Sequence, residues 1–252
     1  MGNMRIFQHG VVDSTNERAL AAVASGEARD GDVHVAEGQS AGRGRLGRSW
    51  SSPNGEGLYL SLVLLPRAAP NPAALTMAAG LGVLEGVRAL GASTTRLKWP
   101  NDVLAPDERG TDAKLAGILV ETRGLDPLPT HAVVGVGLNV LQRAFPAELE
   151  RERAVTSLAL LGLATTRAAA LEGLLAALWP RLAQACAAPA EIAADYANAS
   201  GLLGRAVRVC DARGEHAGRL MALALNGLEL ELTTGIRTRV QLEHVQSVEA
   251  LD

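Results

Sequence analysis

Twelve consecutive residues concentrate the chemistry of this chain: Gln39-Ser-Ala-Gly42-Arg43-Gly44-Arg45-Leu-Gly47-Arg48-Ser-Trp50. Three arginines alternate with three glycines. A guanidinium is a permanent cation on a planar fork that fits phosphate or carboxylate. Glycine lets the backbone take a positive φ and come close to a ligand. Such a loop can fold over an anion and offer it both N–H groups and forks. Only Leu46 and Trp50 are apolar enough to anchor it, so it is expected to be mobile without ligand. No Gly-Lys-Ser/Thr closes the stretch, which excludes a Walker phosphate loop. It occurs once, in a chain of formal net charge −3, which argues against an RGG-type tract or a general polyanion binder.

Three further clusters carry reactive side chains. In Lys98-Trp-Pro-Asn101-Asp102, Pro100 lacks an N–H and breaks the strand, placing Asn101 and Asp102 at a turn. The group is either an ordinary turn or a site for a nucleotide and its Mg²⁺, which prefers oxygen ligands. Lys114 opens the apolar run ending at Glu121. It is either a snorkelling edge lysine or, in a cleft, a fixed cation beside a reacting phosphate. His131-Ala-Val-Val-Gly135-Val-Gly137-Leu-Asn139 is a buried strand whose glycines permit close approach. Ser14-Thr15-Asn16-Glu17 has capping-box spacing. Its polar side chains serve either as a helix cap or as a hydrogen-bonding corner for a small polar ligand.

The elements positioning these residues follow from periodicity and punctuation. Strands are expected at 5–12, 32–37, 57–66, 95–99 and 131–139. A hairpin pairs 103–104 with 114–121 around a polar loop 105–113. Helices are expected from Ser14 to about Ala28, from Pro72 to Leu90 behind an Asn71 cap, and over 146–154. Another covers 166–187, with Pro180 kinking or splitting it, and the last covers 190–197. Asn198-Ala-Ser-Gly201 is the expected boundary, giving domains of 1–200 and 201–252. Beyond it, short strands at 206–210, 217–225, 228–232, 236–240 and 245–250 alternate with turn signals, which suits a small SH3-like barrel.

Hydrophobic residues make up 48% of the 252, so the chain is globular, and the 3% of aromatics cannot furnish a stacking platform for nucleic acid. Cys186 and Cys210 lack CxxC spacing and read as small buried residues in a reducing compartment. The start shows no signal-peptide pattern and no apolar run suits a membrane span, so the expectation is a cytoplasmic protein.

Together, the arginine-glycine loop, Lys98–Asp102, Lys114–Glu121, Gly135–Asn139 and Ser14–Asn16 resemble the biotin protein ligases in order and spacing over residues 5–140. The resemblance implies an α+β fold: a mixed β-sheet backed by helices, related to class II tRNA synthetases, then a small SH3-like β-barrel. It implies ATP and Mg²⁺ as cofactors and biotin as substrate. The biotin carboxylate attacks the α-phosphate of ATP, and a lysine of a biotin carboxyl carrier protein, such as that of acetyl-CoA carboxylase, takes the biotinyl group from the adenylate. By the same resemblance Ser14, Thr15, Asn16 and Gln39 hydrogen-bond biotin, and Arg43, Gly44 and Arg45 close over it, Arg45 retaining the adenylate. Gly117 lets the backbone approach the biotin ring, and Lys114 lies on the biotin carboxylate and α-phosphate. Arg48, Lys98, Asn101, Asp102 and Asn139 serve the triphosphate, Mg²⁺ and adenosine. No protein-held metal set is expected.

The resemblance also implies a homodimer paired along a sheet edge. The catalytic pattern begins within the first dozen residues, which leaves no room for the DNA-binding domain that some relatives carry, so no nucleic acid partner is expected, nor a membrane. Residues 140–157, which order around adenine in relatives, cannot be assigned singly. The alternatives are a lipoate or octanoate transferase of the same fold, which would need an apolar acyl tunnel, and a non-catalytic nucleic-acid module using the arginine loop.

Overall fold

The structure, a computed structural model, describes residues 4–66, 71–123, 131–211, 213–242 and 245–251. Residues 1–3, at the start read for a signal peptide, lie outside this range.

Seven strands form the first sheet: β1 (Ile6–Val12), β2 (Val33–Gln39), β3 (Gly57–Leu64), β4 (Arg96–Lys98), β5 (Asp102–Pro106), β6 (Asp112–Arg123) and β7 (His131–Asn139). Their order is β1-β2-β3-β7-β6-β5-β4. The β1–β2 pair is parallel and the other pairs are antiparallel, so the sheet is mixed, as expected. A parallel pair needs a crossover, and helix α1 (Thr15–Ala24) supplies it.

Strand alternation decides which face is core. On β3, Leu58, Leu60, Leu62 and Leu64 enter the main core, beside Val134, Val136 and Leu138 of β7. Helices α2 (Pro72–Ala89), α4 (Arg167–Ala187) and α5 (Pro189–Ser200) cover that face. Each fully buried leucine there contributes about 1.5–3 kcal/mol. Small residues let the helices meet closely: a Cβ on Gly82 of α2 would lie 2.7 Å from the Leu178 Cα of α4. Arg181 clips α4 to Glu85 of α2 (2.5 Å) and Asp195 of α5 (2.6 Å). On the opposite face, α1 packs Ala19 and Leu20 on Val63 and Val133. The next residues of β7 on that face are glycines, and there the sheet is left open to the site.

A second, antiparallel sheet holds β8 (Ala206–Asp211), β9 (Gly214–Ala224), β10 (Gly227–Glu231), β11 (Arg237–Val240) and β12 (Val245–Ala250), in the order β11-β10-β9-β8-β12. Five short strands in this pattern are the SH3-like element the sequence predicts. Lys98 meets Glu249 of β12 at 3.3 Å, joining this sheet to the end of β4.

Three expectations are corrected. Helix α1 ends at Ala24, and Ser14 stands at its N-cap without a side-chain cap bond. The β5–β6 loop shrinks to residues 107–111, because Asp107 accepts the N–H groups of Arg109 and Thr111 and closes the turn early. Helix α4 runs through Pro180 unbroken. Buried Leu174, Leu178 and Leu182 hold it against α2 on both sides of the missing N–H.

Candidate active site

A cavity of about 1100 Å³ opens on the α1 side of the first sheet. Small-ligand pockets run about 300–1,000 Å³, so this one stands at the large end of that range. Ser14, Thr15, Asn16, Gln39, Arg43, Gly44, Arg45, Arg48, Lys98, Asn101, Asp102, Lys114 and Gly117 all line it. Asn139 does not; it borders a smaller cavity beyond Trp50 and Lys114.

The start of α1 forms a polar corner. Ser14, Thr15 and Asn16 are each at most 4% exposed. The Thr15 N–H donates to Gln39 Oε1 (2.8 Å), and Gln39 Nε2 donates to Ser52 Oγ (2.8 Å). Ser61 of β3 donates to Asn16 Oδ1 (2.5 Å), and Asn16 Nδ2 donates to Glu121 Oε2 of β6 (2.8 Å). Buried polar groups fixed in this way present a defined pattern of donors and acceptors to a ligand.

Glycines form the floor. A Cβ on Gly135 would meet Asn16 Oδ1 at 2.3 Å. One on Gly137 would meet the Trp50 ring at 2.4 Å, and one on Gly117 the same ring at 2.8 Å. Gly117 and Gly137 pair across β6 and β7. The Trp50 indole therefore lies against bare backbone, as no side chain would allow, and its ring N–H is buried without a partner.

Cations converge on one wall. Lys114 Nζ is 2.6 Å from Asp102 Oδ1 and 5.2 Å from the Trp50 ring centroid. Burial lowers its pKa below the ordinary lysine value, and the Asp102 carboxylate opposes that shift. Burial likewise lowers Arg45, with Asp102 opposing it. A cation held short of full solvation beside a single carboxylate is poised to take an anionic ligand. Asn101 Nδ2 donates to the Ile118 carbonyl (2.8 Å), so this amide braces the turn against β6. Asn139 Nδ2 donates to the Thr156 carbonyl (2.9 Å), bracing the segment that follows β7.

The arginine-glycine loop folds back on itself. Trp50 N–H donates to the Gly42 carbonyl (2.9 Å), and Gly44 N–H to the Arg48 carbonyl (2.7 Å). Between them Arg45–Gly47 makes a 3₁₀ turn in which Leu46 and Gly47 have φ of 56° and 74°. Leu46 is 74% exposed, so it is no anchor; Trp50 alone fills that role. Arg43 is held by Glu17 (2.6 Å) and Glu121 (2.6 Å).

Residues 9–139 match the model of the biotin/lipoate A/B protein ligase family. The chain belongs to that family.

Its relatives sharpen the placement. It is similar to the biotin–[acetyl-CoA-carboxylase] ligase of Mycobacterium tuberculosis, 43% identical over 202 residues, 78% of this chain and 71% of that one. The bifunctional ligase/repressor BirA of Escherichia coli is 44% identical over 136 residues, 53% of this chain and 40% of BirA. This chain thus spans less than half the length of the repressor-type relatives it matches. Among solved structures, the biotin protein ligase of Aquifex aeolicus in complex with biotin and ATP superposes with a TM-score of 0.78 at 28% identity, covering 98% of this chain and 99% of that one.

Several residues lining this family member's cavity went unassigned from sequence. Gly135 and Gly137 carried a signal, the alternation of glycine along one strand face. Helix α3 (Ala147–Glu152) places Glu148, Leu149 and Glu152 on the cavity rim, and Arg153 follows. Gln246 and Ser247 of β12 also reach it. Nothing in the C-terminal pattern singles them out, because their place depends on how the second sheet docks.

Proposed function

We propose that the chain is an ATP-dependent biotin protein ligase, which activates biotin as biotinyl-5′-adenylate and transfers it to a lysine of a biotin carboxyl carrier protein. One observation carries this reading: a polar corner, a glycine floor and a wall of cations share one cavity. The ureido ring of biotin has the donors and acceptors that Ser14, Thr15, Asn16 and Gln39 can pair, and its fused rings fit against Gly117 and Trp50.

Carboxylate attack on a phosphate oxyanion brings like charges together, so positive charge at the new bond lowers the barrier. Lys114 is the group for this, fixed by β6 and by Asp102. A carboxylate oxygen of biotin bonds to the α-phosphorus, the bond to the bridging oxygen breaks and pyrophosphate leaves. The carrier lysine, as a free amine, then attacks the acyl carbon, loses a proton and displaces AMP. Arg45 and Arg48, on the loop, hold the adenylate between these steps and keep water from it. Lys98 serves the departing phosphates, and Asn101 and Asn139 act by fixing the backbone around the nucleotide.

Mg²⁺ is held by one or two carboxylates together with substrate phosphates, and Asp102 on the cation wall fits that demand. Bound there, the ion neutralises phosphate charge. Among the described residues no cluster of three or more His, Cys, Asp or Glu side chains could hold a metal without substrate.

The two sheets support reading residues 1–200 as the ligase domain and 201–252 as a small appended domain. Among the described residues no helix is long and apolar enough to cross a membrane. Cys186 is exposed and Cys210 half-buried, not buried as expected, and two accessible free thiols support a reducing setting such as the cytoplasm.

The test is incubation with biotin, MgATP and a carrier domain, followed by intact mass. A gain of one biotinyl group on the carrier, lost when biotin is replaced by lipoate, is expected. No gain, or a gain with lipoate alone, overturns the reading.

A further inference from the structure

Resting on the reading above, we infer that Glu121 and Glu17 are positioning residues that clasp the arginine loop over the acyl site and tie its closure to the hydrogen-bonding corner. Neither carboxylate lines the cavity, and neither touches the place where a substrate would sit. Their contacts run instead to Arg43, the first arginine of the loop. Glu17 Oε1 takes Arg43 Nη1 at 2.6 Å, and Glu121 Oε2 takes Nη2 at 2.6 Å. The guanidinium fork is thereby pinned between α1 and β6, two elements the core holds fixed.

Glu121 does more than anchor. The oxygen that accepts Arg43 also accepts Asn16 Nδ2 at 2.8 Å. Asn16 in turn receives the Ser61 hydroxyl and crowds Gly135 so closely that no Cβ fits between them. One carboxylate oxygen is thus shared between the corner that would read the ligand ring and the loop that would cover it. A ligand that orders Asn16 holds Glu121 in place for Arg43, and a closed loop holds Glu121 in place for Asn16. The carboxylates are 21% exposed at Glu121 and 37% at Glu17, so Glu121 has the drier and stronger hold.

The variants are Glu17→Gln, Glu121→Gln, Glu121→Asp and Glu17→Gln with Glu121→Gln, each also made in an Arg43→Met background. Two readouts are needed. The first, hydrogen exchange of residues 42–50 in the ligand-free protein, does not depend on which acid is activated. The double variant should exchange this loop about tenfold faster than wild type, the size expected for two partly exposed charged contacts. Glu17→Gln alone should give the smaller share.

The second readout is release of preformed biotinyl-adenylate, followed by labelling of a bystander protein. It should rise by a similar factor in the double variant, while single-turnover adenylate formation changes less than about threefold, since no group on the reacting atoms is removed. Glu121→Gln should also raise the KM for biotin, and Glu17→Gln should not. Glu121→Asp should restore part of each effect. In the Arg43→Met background the glutamate changes should add nothing to loop exchange. Unchanged loop exchange in the double variant, or equal effects with and without Arg43, overturns the clasp. If wild type makes no biotinyl-adenylate, the proposed function fails, and loop exchange alone then judges the clasp.

Discussion

The cavity has two cationic halves built on opposite plans. Lys114 stands on β6, between β5 and β7 in the sheet, 13% exposed and pinned to Asp102. Arg43, Arg45 and Arg48 stand on a nine-residue fold-back whose tip, Leu46, faces solvent. The strand half has its geometry set by the core before any ligand arrives, and the loop half takes its geometry from a few side-chain contacts. Fixed charge suits a transition state, where preorganisation lowers the barrier; hinged charge suits a labile intermediate that must be enclosed and then handed on.

A dispensable Lys114 would erase the contrast between fixed and hinged charge. Lys114→Gln should slow adenylate formation about 100- to 1000-fold, the usual effect of losing one preorganised charge donor, with little leakage of what does form. Pyrophosphate release without acceptor measures it.

Next comes the floor. Gly137→Ala drives a methyl group into the Trp50 ring, and overpacking of this kind costs about 1–3 kcal/mol, here felt as weaker biotin binding. Calorimetric titration with biotin should show the loss while pyrophosphate release at saturating biotin persists. Undiminished affinity would place the acid elsewhere.

Arg45→Gly sharpens the other half. Pyrophosphate release should continue, and labelling of a bystander protein should rise about tenfold, the effect of removing one partly screened charge contact. If Lys114→Gln leaks adenylate and Arg45→Gly retains it, the two halves have been assigned the wrong way round.

The last effect, on stability and not on activity, belongs to neither half. His34 on β2 is 5% exposed, and burial, with His9 beside it, lowers its pKa from 6.5 to about 4. The unfolded chain therefore binds this proton first on acidification. Its contribution to stability is whole above pH 6.5 and is lost as the pH falls towards 4, with a slope of at most about 1.4 kcal/mol per pH unit, that of one proton. His34→Gln should flatten the acid limb of a denaturant-midpoint profile without altering biotin affinity.

The strands and helices were legible because their periodicity is regular and their punctuation strong. Asn71-Pro72 opens α2 and Gly201, with φ of 66°, closes α5. What failed was local. Asp107 reorganised its own turn, and Pro180 lost its power to break a helix that is packed along its length. In the site, residues grouped in motifs were found. Glu17 and Glu121 end two of those motifs, but their tie to Arg43 was not legible, because Arg43 lies in a third motif, 78 residues from Glu121, and such a distance leaves no mark in spacing. Leu46 was misread for the converse reason: an apolar residue in a polar loop suggests an anchor, but a left-handed φ turns it outward.

A pocket floored by glycine cannot be enlarged by trimming. Residues 117, 135 and 137 have no side chain left to remove, so mutation there can only narrow the space. Room for a bulkier acid, such as a tagged analogue for labelling, has to come from what sits on that floor, by cutting back Trp50. Substrate range in this protein is therefore open to engineering from above and closed from below, and naturally arising resistance to an inhibitor seated on the floor would have to take the form of added bulk, at the substrate's expense as well.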